Sequence, residues 1–355
     1  MSETRYERTR VRLALPGKGA LEAATLAFLA ECGMKVNRNN PRQYLARMGS
    51  MPDVEVVFQR AADVPLLVQN GDAALGITGF DILAEHRGYG DAVSNEDEFD
   101  EDLMVLERDL GYGGCRLVVA VPETWIDVST CADLWHLSGY YLEHRGRGLR
   151  IATKYPVLTA QFLRRHSITH CKIFSPHGAL EAAPLTDTAD LIVDLTETGT
   201  TLRENHLKLL EDGTVLRSQA CLVANAGQLL QDARALRVAE TMLELIEARV
   251  QARNRAMLTT RLPVRREDVE QRLASLAPFI ELRGIPVDEE LTRDAGWYAL
   301  SGIVRTGSSA AEMLEVVATL RSMGAEHIDV VPLSYRFSSE PASVRGLRER
   351  LKRVR

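Results

Sequence analysis

The sequence has few cysteines, and their spacing does not suggest a metal centre or a disulfide framework. Five cysteines are scattered along 355 residues, and no two of them form a C-x-x-C motif. Such a distribution fits free thiols in a reducing compartment, whereas secreted domains and structural zinc sites show closely spaced cysteines. We therefore expect a cytoplasmic protein that contributes no metal site of its own.

Long hydrophobic runs are missing as well. No segment reaches the roughly 18 consecutive apolar residues that would span a bilayer. The first residues, Met1 to Tyr6, lead into no apolar segment of the kind found in signal peptides. We expect neither a membrane partner nor a signal peptide.

The chain also lacks an excess of positive charge. Its 43 Lys and Arg residues are outnumbered by 49 Asp and Glu residues, which gives a net charge of −6. A nucleic-acid partner held by bulk charge is therefore excluded. The densest acidic run is 96–102, which could be imagined as a metal site. Like charges this close repel one another and stay hydrated, so we favour a solvated loop.

Alternating strand and helix patterns in the first part of the chain predict an α/β fold. Short apolar runs at 11–15, 54–58 and 73–77 read as strands, with helical periodicity at 20–32 and 63–70. Ligands in such mostly parallel sheets lie beyond the carboxyl ends of the strands. Four candidate binding residues fall at those ends, although plain strand-to-helix turns would look the same: Lys18, Arg60, Thr78 and Gly79.

A second series of strands and helices follows residue 122. Before it, the glycine-rich segment 111–115 leads to Arg116, which could meet a pyrophosphate or be a structural surface arginine. Strands are predicted at 117–121, 149–153, 173–175 and 191–193, a helix at 157–166 and a short helix opening at Ala179. The run 222–224 reads as a strand returning to the first lobe. Two lobes with a ligand cleft between them result.

The most informative segment is 189–202. A buried strand, Leu191 to Val193, is closed by Asp194, and a loop with several threonines and Gly199 precedes a helix start. Backbone N–H groups, hydroxyls and the helix dipole would together bind an anion, and a glycine lets the backbone approach it closely. Asp194 would accept hydrogen bonds from a sugar diol beside a phosphate, so a ribose 5-phosphate is the natural ligand. The alternative is a helix that Thr200 or Thr201 merely caps.

The last part of the chain predicts a separate domain. After a long amphipathic helix at 229–255, strands at 257–262, 280–285, 297–304 and 327–331 and helices at 266–276 and 310–323 form a β-α-β-β-α-β unit, which is ferredoxin-like. It has no evident catalytic cluster, which favours binding, oligomerisation or regulation. The basic tail 345–355 reads as a solvated helix.

Several segments in the right order resemble one known family, ATP phosphoribosyltransferase in its long form with a C-terminal regulatory domain. The resemblance extends from about residue 10 to residue 337. It rests on these segments: 29–37, 75–79, 113–117, 151–156 (Ile-Ala-Thr-Lys-Tyr-Pro), 178–184, 194–202, 320–326 and 330–333.

The resemblance implies a fold and a division of the chain. The fold would be a two-lobed, periplasmic-binding-protein-like α/β core with mostly parallel sheets, followed by the ferredoxin-like domain. Lobe I would comprise residues 1–121 and 207–228, and lobe II residues 122–206. A linking helix at 229–255, a regulatory domain at 256–337 and a basic tail at 338–355 would complete the chain.

The resemblance also implies a reaction. ATP and phosphoribosyl pyrophosphate (PRPP) would give N1-(5-phosphoribosyl)-ATP and pyrophosphate with Mg²⁺ carried by the substrate, as the first step of histidine biosynthesis. Feedback inhibition by histidine and a homohexamer built from dimers are implied as well. The candidate catalytic residues are Asp194, Glu181 and Arg116. The candidate PRPP-binding residues are Asp194, Glu197, Thr198, Gly199, Thr200 and Thr201, and the candidate ATP-binding residues are Lys18, Arg60, Thr78, Gly79 and Tyr155.

Two other interpretations remain open from the sequence. A two-lobed solute-binding or sensor protein would share the cleft without chemistry. A weakened paralogue would bind an amino acid in its last domain without turnover. One more alternative concerns Tyr155, which would either line the adenine site or pack in the core.

Overall fold

The computed structural model describes residues 10–38, 40, 42–88, 102–176, 178–263, 280–282, 298–306 and 310–354. These residues fall into two compact units, the described parts of 1–243 with 342–355 and the described part of 244–341. The predicted helix at 266–276 lies outside the described residues, as does the acidic run 96–102 except for its last residue. None of the described helices is both long enough and apolar enough to cross a membrane.

The first unit contains an α/β arrangement of two sheets, which confirms the predicted fold class. Its strands are β1 (Val11–Pro16), β2 (Val36–Asn37), β3 (Leu45–Met48), β4 (Val54–Gln59), β5 (Leu75–Gly79), β6 (Met104–Glu107), β7 (Cys115–Pro122), β8 (Leu149–Thr153), β9 (Cys171–Phe174), β10 (Leu191–Thr196), β11 (Leu207–Ser218) and β12 (Ala220–Ala224). Its helices are α1 (Ala20–Glu31), α2 (Val64–Gln69), α3 (Phe80–Arg87), α4 (Cys131–Arg145), α5 (Pro156–Arg165), α6 (Thr200–Glu204) and α7 (Ala226–Gln231).

The two sheets are mixed. The first has the order β2-β3-β4-β1-β5-β12-β6 and the second the order β11-β7-β10-β8-β9. In the first sheet β1 is parallel to β4 and β5, and in the second β8 is parallel to β10 and β9. The other pairs of described strands are antiparallel, namely β2 with β3, β3 with β4, β12 with β5 and β6, and β7 with β10 and β11. The second sheet extends over 115–218, whereas the sequence placed the lobe boundaries at 122 and 206.

The core of each sheet consists of the apolar runs that the sequence reads as strands. Leu13, Leu75, Ile151, Leu191 and Val193 have no solvent-exposed surface. Burying one such side chain contributes about 1.5–3 kcal/mol to folding. Strands with buried side chains on both faces fix the register of their neighbours, so the polar residues at the strand ends are held in defined positions.

Local capping signals determine where the helices begin and end. Thr130 accepts a hydrogen bond from the Asp133 backbone N–H, and the Asp133 carboxylate accepts one from the Thr130 N–H, which forms a capping box at the start of α4. Gly146 ends the same helix with a φ of 62°, in the left-handed region that favours glycine.

Three predicted helices differ in the structure. The long helix at 229–255 is two helices, α7 and α8 (Ala233–Ala252), because Asp232 adopts an extended conformation between them. The helix expected to open at Ala179 is a series of turns over 181–187. The basic tail is the amphipathic helix α10 (Ala342–Val354), whose Val344, Leu347 and Leu351 are buried rather than solvated.

The second unit carries an antiparallel four-stranded sheet. Its strands are β13 (Arg255–Leu262), β14 (Ile280–Leu282), β15 (Tyr298–Arg305) and β16 (Ile328–Pro332), and its described helix between β15 and β16 is α9 (Ala310–Ser322). The order β14-β15-β13-β16 places the first and third strands of the unit at the centre. This is the topology of the predicted ferredoxin-like unit.

Candidate functional site

The end of β10 presents a carboxylate and a loop of hydroxyls at one place. The strand is longer than predicted and ends at Thr196, so partly buried Asp194 lies within it rather than after it. Gly199 follows with a φ of 78°, and α6 begins at the next residue. Gly199 is itself the N-cap residue and α6 has no side-chain cap, so the alternative of a threonine-capped helix is wrong. Because α6 has only five residues, its dipole adds little to the site.

Hydrogen bonds between threonines give the loop its shape. The Gly199 N–H donates to Thr196 Oγ1 at 2.7 Å, and the hydroxyls of Thr198 and Thr200 lie 2.9 Å apart. The Arg203 guanidinium donates to Thr200 Oγ1 at 3.2 Å and to the Thr198 carbonyl at 3.3 Å. Arg203 is not among the site residues predicted from the sequence. Its position three residues after Thr200 is the signal that would have placed this cation against the loop.

A cavity of about 320 Å³ is formed by the loop and its neighbours. Its size falls within the range of small-ligand pockets. Its lining includes six of the predicted catalytic or PRPP-binding residues, two of their neighbours in β10 and one in α6. The full set is Glu181, Asp194, Leu195, Thr196, Glu197, Thr198, Thr200, Thr201 and Leu202. The segment around Glu181 is distant in sequence from β10, and the fold brings the two together.

The pKa of Asp194 depends on its burial, on a second carboxylate of the cavity lining and on a lysine. Burial raises the pKa of Asp194, and the negative charge of Glu181 raises it further. The Leu195 N–H, 2.8 Å from Asp194 Oδ1, and the positive charge of Lys154 act in the opposite direction. The Asp194 carboxylate can accept hydrogen bonds from the hydroxyl groups of a sugar, which are neutral donors.

Arg116 lies one strand away from the loop. In the antiparallel pairing of β7 with β10, Arg116 is opposite Thr196. Arg116 is not among the described residues that line the cavity. The structure therefore places this predicted catalytic residue beside the loop rather than inside the cavity.

The predicted ATP-binding residues of the first lobe lie at one edge of the first sheet. Lys18 and Arg60 are exposed and follow the neighbouring parallel strands β1 and β4, in which Pro16 is opposite Gln59. Thr78 and Gly79 end β5 on the other side of β1 and are buried. The Thr78 hydroxyl donates to the Ala61 carbonyl at 2.9 Å, so its oxygen is held in place by the fold.

Tyr155 is the residue before α5 and contacts α3, the helix that follows β5 of the first sheet. Its hydroxyl donates to Asp81 Oδ2 at 2.6 Å, and Ser218 donates to Asp81 Oδ1 at the same distance. Asp81 is only 4% exposed and was missed in the sequence. The signal was an acid two residues after a strand that ends in Thr78-Gly79.

Cys115 connects the two groups of residues electrostatically. Burial and, to a smaller extent, the negative charge of Asp81 raise the pKa of the Cys115 thiol to about 11. A hydrogen bond with Ser218 opposes this rise, and the charge of Glu197 adds to it. The edge of the first sheet and the loop after β10 thus lie close enough to influence the same thiol.

Fold and site together define an α/β protein with a polar ligand cavity at the end of a strand. Comparison with known proteins gives the family. The model of the family described as "HisG: ATP phosphoribosyltransferase" matches residues 60–249. ATP phosphoribosyltransferase 2, chloroplastic, of Arabidopsis thaliana is 33% identical over 341 residues, which cover 94% of this chain and 78% of that protein.

Two further similarities were found. An ATP phosphoribosyltransferase of Brucella melitensis is 44% identical over 216 residues, 60% of this chain and 89% of that protein. Among solved structures, the ATP phosphoribosyl transferase (HisG:HisZ) complex from Thermotoga maritima matches with 27% identity and a TM-score of 0.47, covering 67% of this chain and 98% of that one. The chain belongs to the HisG family of ATP phosphoribosyltransferases, pentosyltransferases that carry out the first step of histidine biosynthesis.

Proposed function

We propose that the cavity after β10 binds PRPP. Asp194 and Glu181 would accept hydrogen bonds from the ribose hydroxyls, and the segment from Glu197 to Thr201 would surround the 5-phosphate with backbone N–H groups and hydroxyls. The observation that carries this proposal is that Asp194, Glu181 and the threonine loop line one cavity. Arg203, held against Thr198 and Thr200, adds a cation at the same loop.

ATP would bind at the neighbouring edge of the first sheet. Lys18 and Arg60 would contact its phosphates, Thr78 and Gly79 would lie against the nucleotide, and Tyr155 would line the adenine. In the reaction, adenine N1 forms a bond to C1 of the ribose while the bond from C1 to the pyrophosphate oxygen breaks. Holding the two substrates in line contributes about 7–11 kcal/mol to lowering the barrier.

Three cations are proposed to stabilise the negative charge that develops on the leaving group. The departing pyrophosphate becomes more negative as it leaves, and Arg116, Lys18 and Arg60 are proposed to stabilise that charge. Mg²⁺ bound to the substrate's own phosphate oxygens would supply further charge neutralisation. The carboxylate and hydroxyl oxygens of the cavity are of the type that Mg²⁺ prefers.

The second unit is proposed to regulate the first. Its strand order is that of the ferredoxin-like domain, and it forms a compact unit of its own. We propose that it binds histidine as a feedback inhibitor and that the chain assembles into a homohexamer of dimers in the cytoplasm. The five cysteines, all of them described residues, are free thiols, which is compatible with that compartment.

One assay tests the proposed activity. The purified chain is incubated with ATP, PRPP and Mg²⁺, and the absorbance of the N1-substituted adenine is followed, with and without histidine. We expect turnover that histidine reduces and that the variant Asp194→Ala lacks. Binding of either substrate without turnover would instead support a binding protein, and histidine binding without turnover would support a weakened paralogue.

A further inference from the structure

Three side chains with different metal-binding groups meet on the second sheet. They are Cys131 at the first position of α4, His166 at the end of α5 and Asp212 in β11. One ligand atom from each, a thiol sulfur, a ring nitrogen and a carboxylate oxygen, lies within 4.8 Å of the other two. None of the three lines the cavity after β10.

We infer that Cys131, His166 and Asp212 form a binding site for a zinc-like divalent cation. A thiolate, an imidazole and a carboxylate are the ligand types that zinc binds, and zinc sites with three protein ligands leave the fourth position to water. No sequence motif indicates the site, because its ligands are separated by 35 and 46 residues in the chain and only tertiary structure brings them together.

The surrounding hydrogen bonds hold two of the ligands in place. Asp212 Oδ1 accepts the Cys131 backbone N–H at 2.8 Å, and the Glu211 N–H donates to the Ser129 carbonyl at 2.9 Å. The hydrogen bond at the start of α4 uses one carboxylate oxygen of Asp212. A carboxylate has two, so this bond does not prevent the other from binding a cation. The pairing of β11 with β7 is irregular between Leu209 and Thr214, and such bulges redirect side chains.

The three ligands differ in burial, and the exposed one leaves a route for a metal ion from solvent. Cys131 is 1% exposed, His166 is partly buried and Asp212 is exposed. A cation from solvent would therefore meet the carboxylate first and the sulfur last. Binding forms a metal–sulfur bond and breaks the S–H bond, and the proton goes to solvent without any change in oxidation state.

The ligand set also predicts selectivity. Sulfur and nitrogen ligands favour zinc and cobalt over magnesium, which prefers oxygen. The Mg²⁺ proposed for the reaction therefore should not compete at this site. Bound metal would connect α4, α5 and β11, and would stabilise this part of the first unit.

Cobalt provides a spectroscopic test on the full chain. We expect the metal-free protein titrated with Co²⁺ to develop a thiolate-to-cobalt charge-transfer band with one equivalent, to keep it in excess Mg²⁺ and to lose it when Zn²⁺ is added. Cys131→Ser should lack the band, whereas Cys171→Ser, which changes a partly buried cysteine in β9, should keep it. Zn²⁺ should raise the Tm of the unmodified chain and of Cys171→Ser, but not of Cys131→Ser.

Two milder variants test the other ligands. His166→Gln and Asp212→Asn should each weaken Co²⁺ binding by about tenfold or more, and Asp212→Asn retains an oxygen that can accept the Cys131 N–H. The inference is overturned if the unmodified chain develops no band, if Cys131→Ser keeps it, or if neither milder variant weakens binding. These readouts do not depend on turnover, so they remain informative whatever the outcome of the activity assay.

Discussion

The Tyr155 hydroxyl donates a hydrogen bond of 2.6 Å to Asp81 Oδ2 and thereby joins the start of α5 to α3. Burial raises the pKa of Tyr155 above its ordinary value, and the charge and hydrogen bond of Asp81 raise it further. Both causes keep the hydroxyl protonated, so it remains a donor at alkaline pH. Four residues after Asp81, Glu85 accepts the Val157 and Leu158 N–H groups at 2.8 and 2.9 Å. One face of α3 thus contacts the start of α5 twice.

Tyr155→Phe should destabilise the first unit. The change leaves one oxygen of a buried carboxylate without its donor, which costs about 1–3 kcal/mol in the free energy of unfolding. Urea denaturation measures the loss. Tyr140→Phe is the matched control, because Tyr140 is 52% exposed, and it should unfold at the urea concentration of the unmodified chain. Equal stability of the two variants would contradict a structural role for the Tyr155–Asp81 bond.

Asp194→Asn should impair the proposed PRPP site while the fold remains. An amide in place of the carboxylate weakens the hydrogen bonds that the ribose hydroxyls would donate, and kcat/KM for PRPP should fall by about 100-fold. Steady-state kinetics with PRPP varied at saturating ATP give the ratio. Glu204→Gln, an exposed change at the end of α6, serves as the control and should have little effect. Kinetics of Asp194→Asn close to those of the unmodified chain would remove Asp194 from the site.

Gly199→Ala tests the conformation of the loop. A Cβ at a φ of 78° costs about 1–2 kcal/mol, and it would lie 3.2 Å from Arg203 Nη1. We expect a raised KM for PRPP with little change in the KM for ATP, and a larger effect for Gly199→Val. Gly139→Ala is a helical control with nothing within 4 Å of the new Cβ, and it should raise stability by up to about 1 kcal/mol. An unchanged KM for PRPP in Gly199→Val would argue against phosphate binding by this loop.

Asp190 gives a prediction about pH. Burial raises the pKa of this carboxyl, but hydrogen bonds from Arg147 and Arg150 outweigh burial and hold the pKa well below its usual range. The carboxylate's contribution to stability is therefore complete above the unfolded pKa of about 3.9. It is lost as the pH falls through the folded pKa.

Asp190→Asn should therefore lower the free energy of unfolding by about 3 kcal/mol at pH 7, because it breaks a buried ion pair. The difference in the free energy of unfolding between this variant and the unmodified chain should become smaller as the pH falls below about 4. Denaturation curves at several pH values measure it. Asp187, whose side chain is 93% exposed, provides the control, since Asp187→Asn should change stability little at any pH. A pH-independent difference for Asp190→Asn would contradict the ionic origin of the effect.

Leu347→Ala should show that α10 is part of the first unit. Leu347 has no exposed surface, and Arg350 in the same helix donates to the carbonyls of Val105 and Leu106. Truncating a buried leucine costs about 2–5 kcal/mol. Thermal unfolding measures the effect, with the 64% exposed Leu314 as the site of the control change Leu314→Ala. If both variants melt together with the unmodified chain, α10 does not contribute to the stability of the unit.

Local patterns in the sequence were sufficient for most of the elements that position the site. The β-branched run of β10 and the glycine that follows it determine a strand and a left-handed turn whatever surrounds them. The alternation of strands and helices likewise fixed the α/β class, and the order of several motifs indicated the family. The helix expected at Ala179 was wrong, since turns occupy 181–187.

Only the tertiary structure decided which distant residues share an environment. Asp81 accepts hydrogen bonds from Tyr155 and Ser218, which lie 74 and 137 positions away, and no periodicity encodes such a contact. The meeting of Cys131, His166 and Asp212, and the burial of one face of α10, arise in the same way. Sequence determines local conformation through short-range sterics and capping, whereas a site depends on strand register and packing between elements, which are properties of the whole fold.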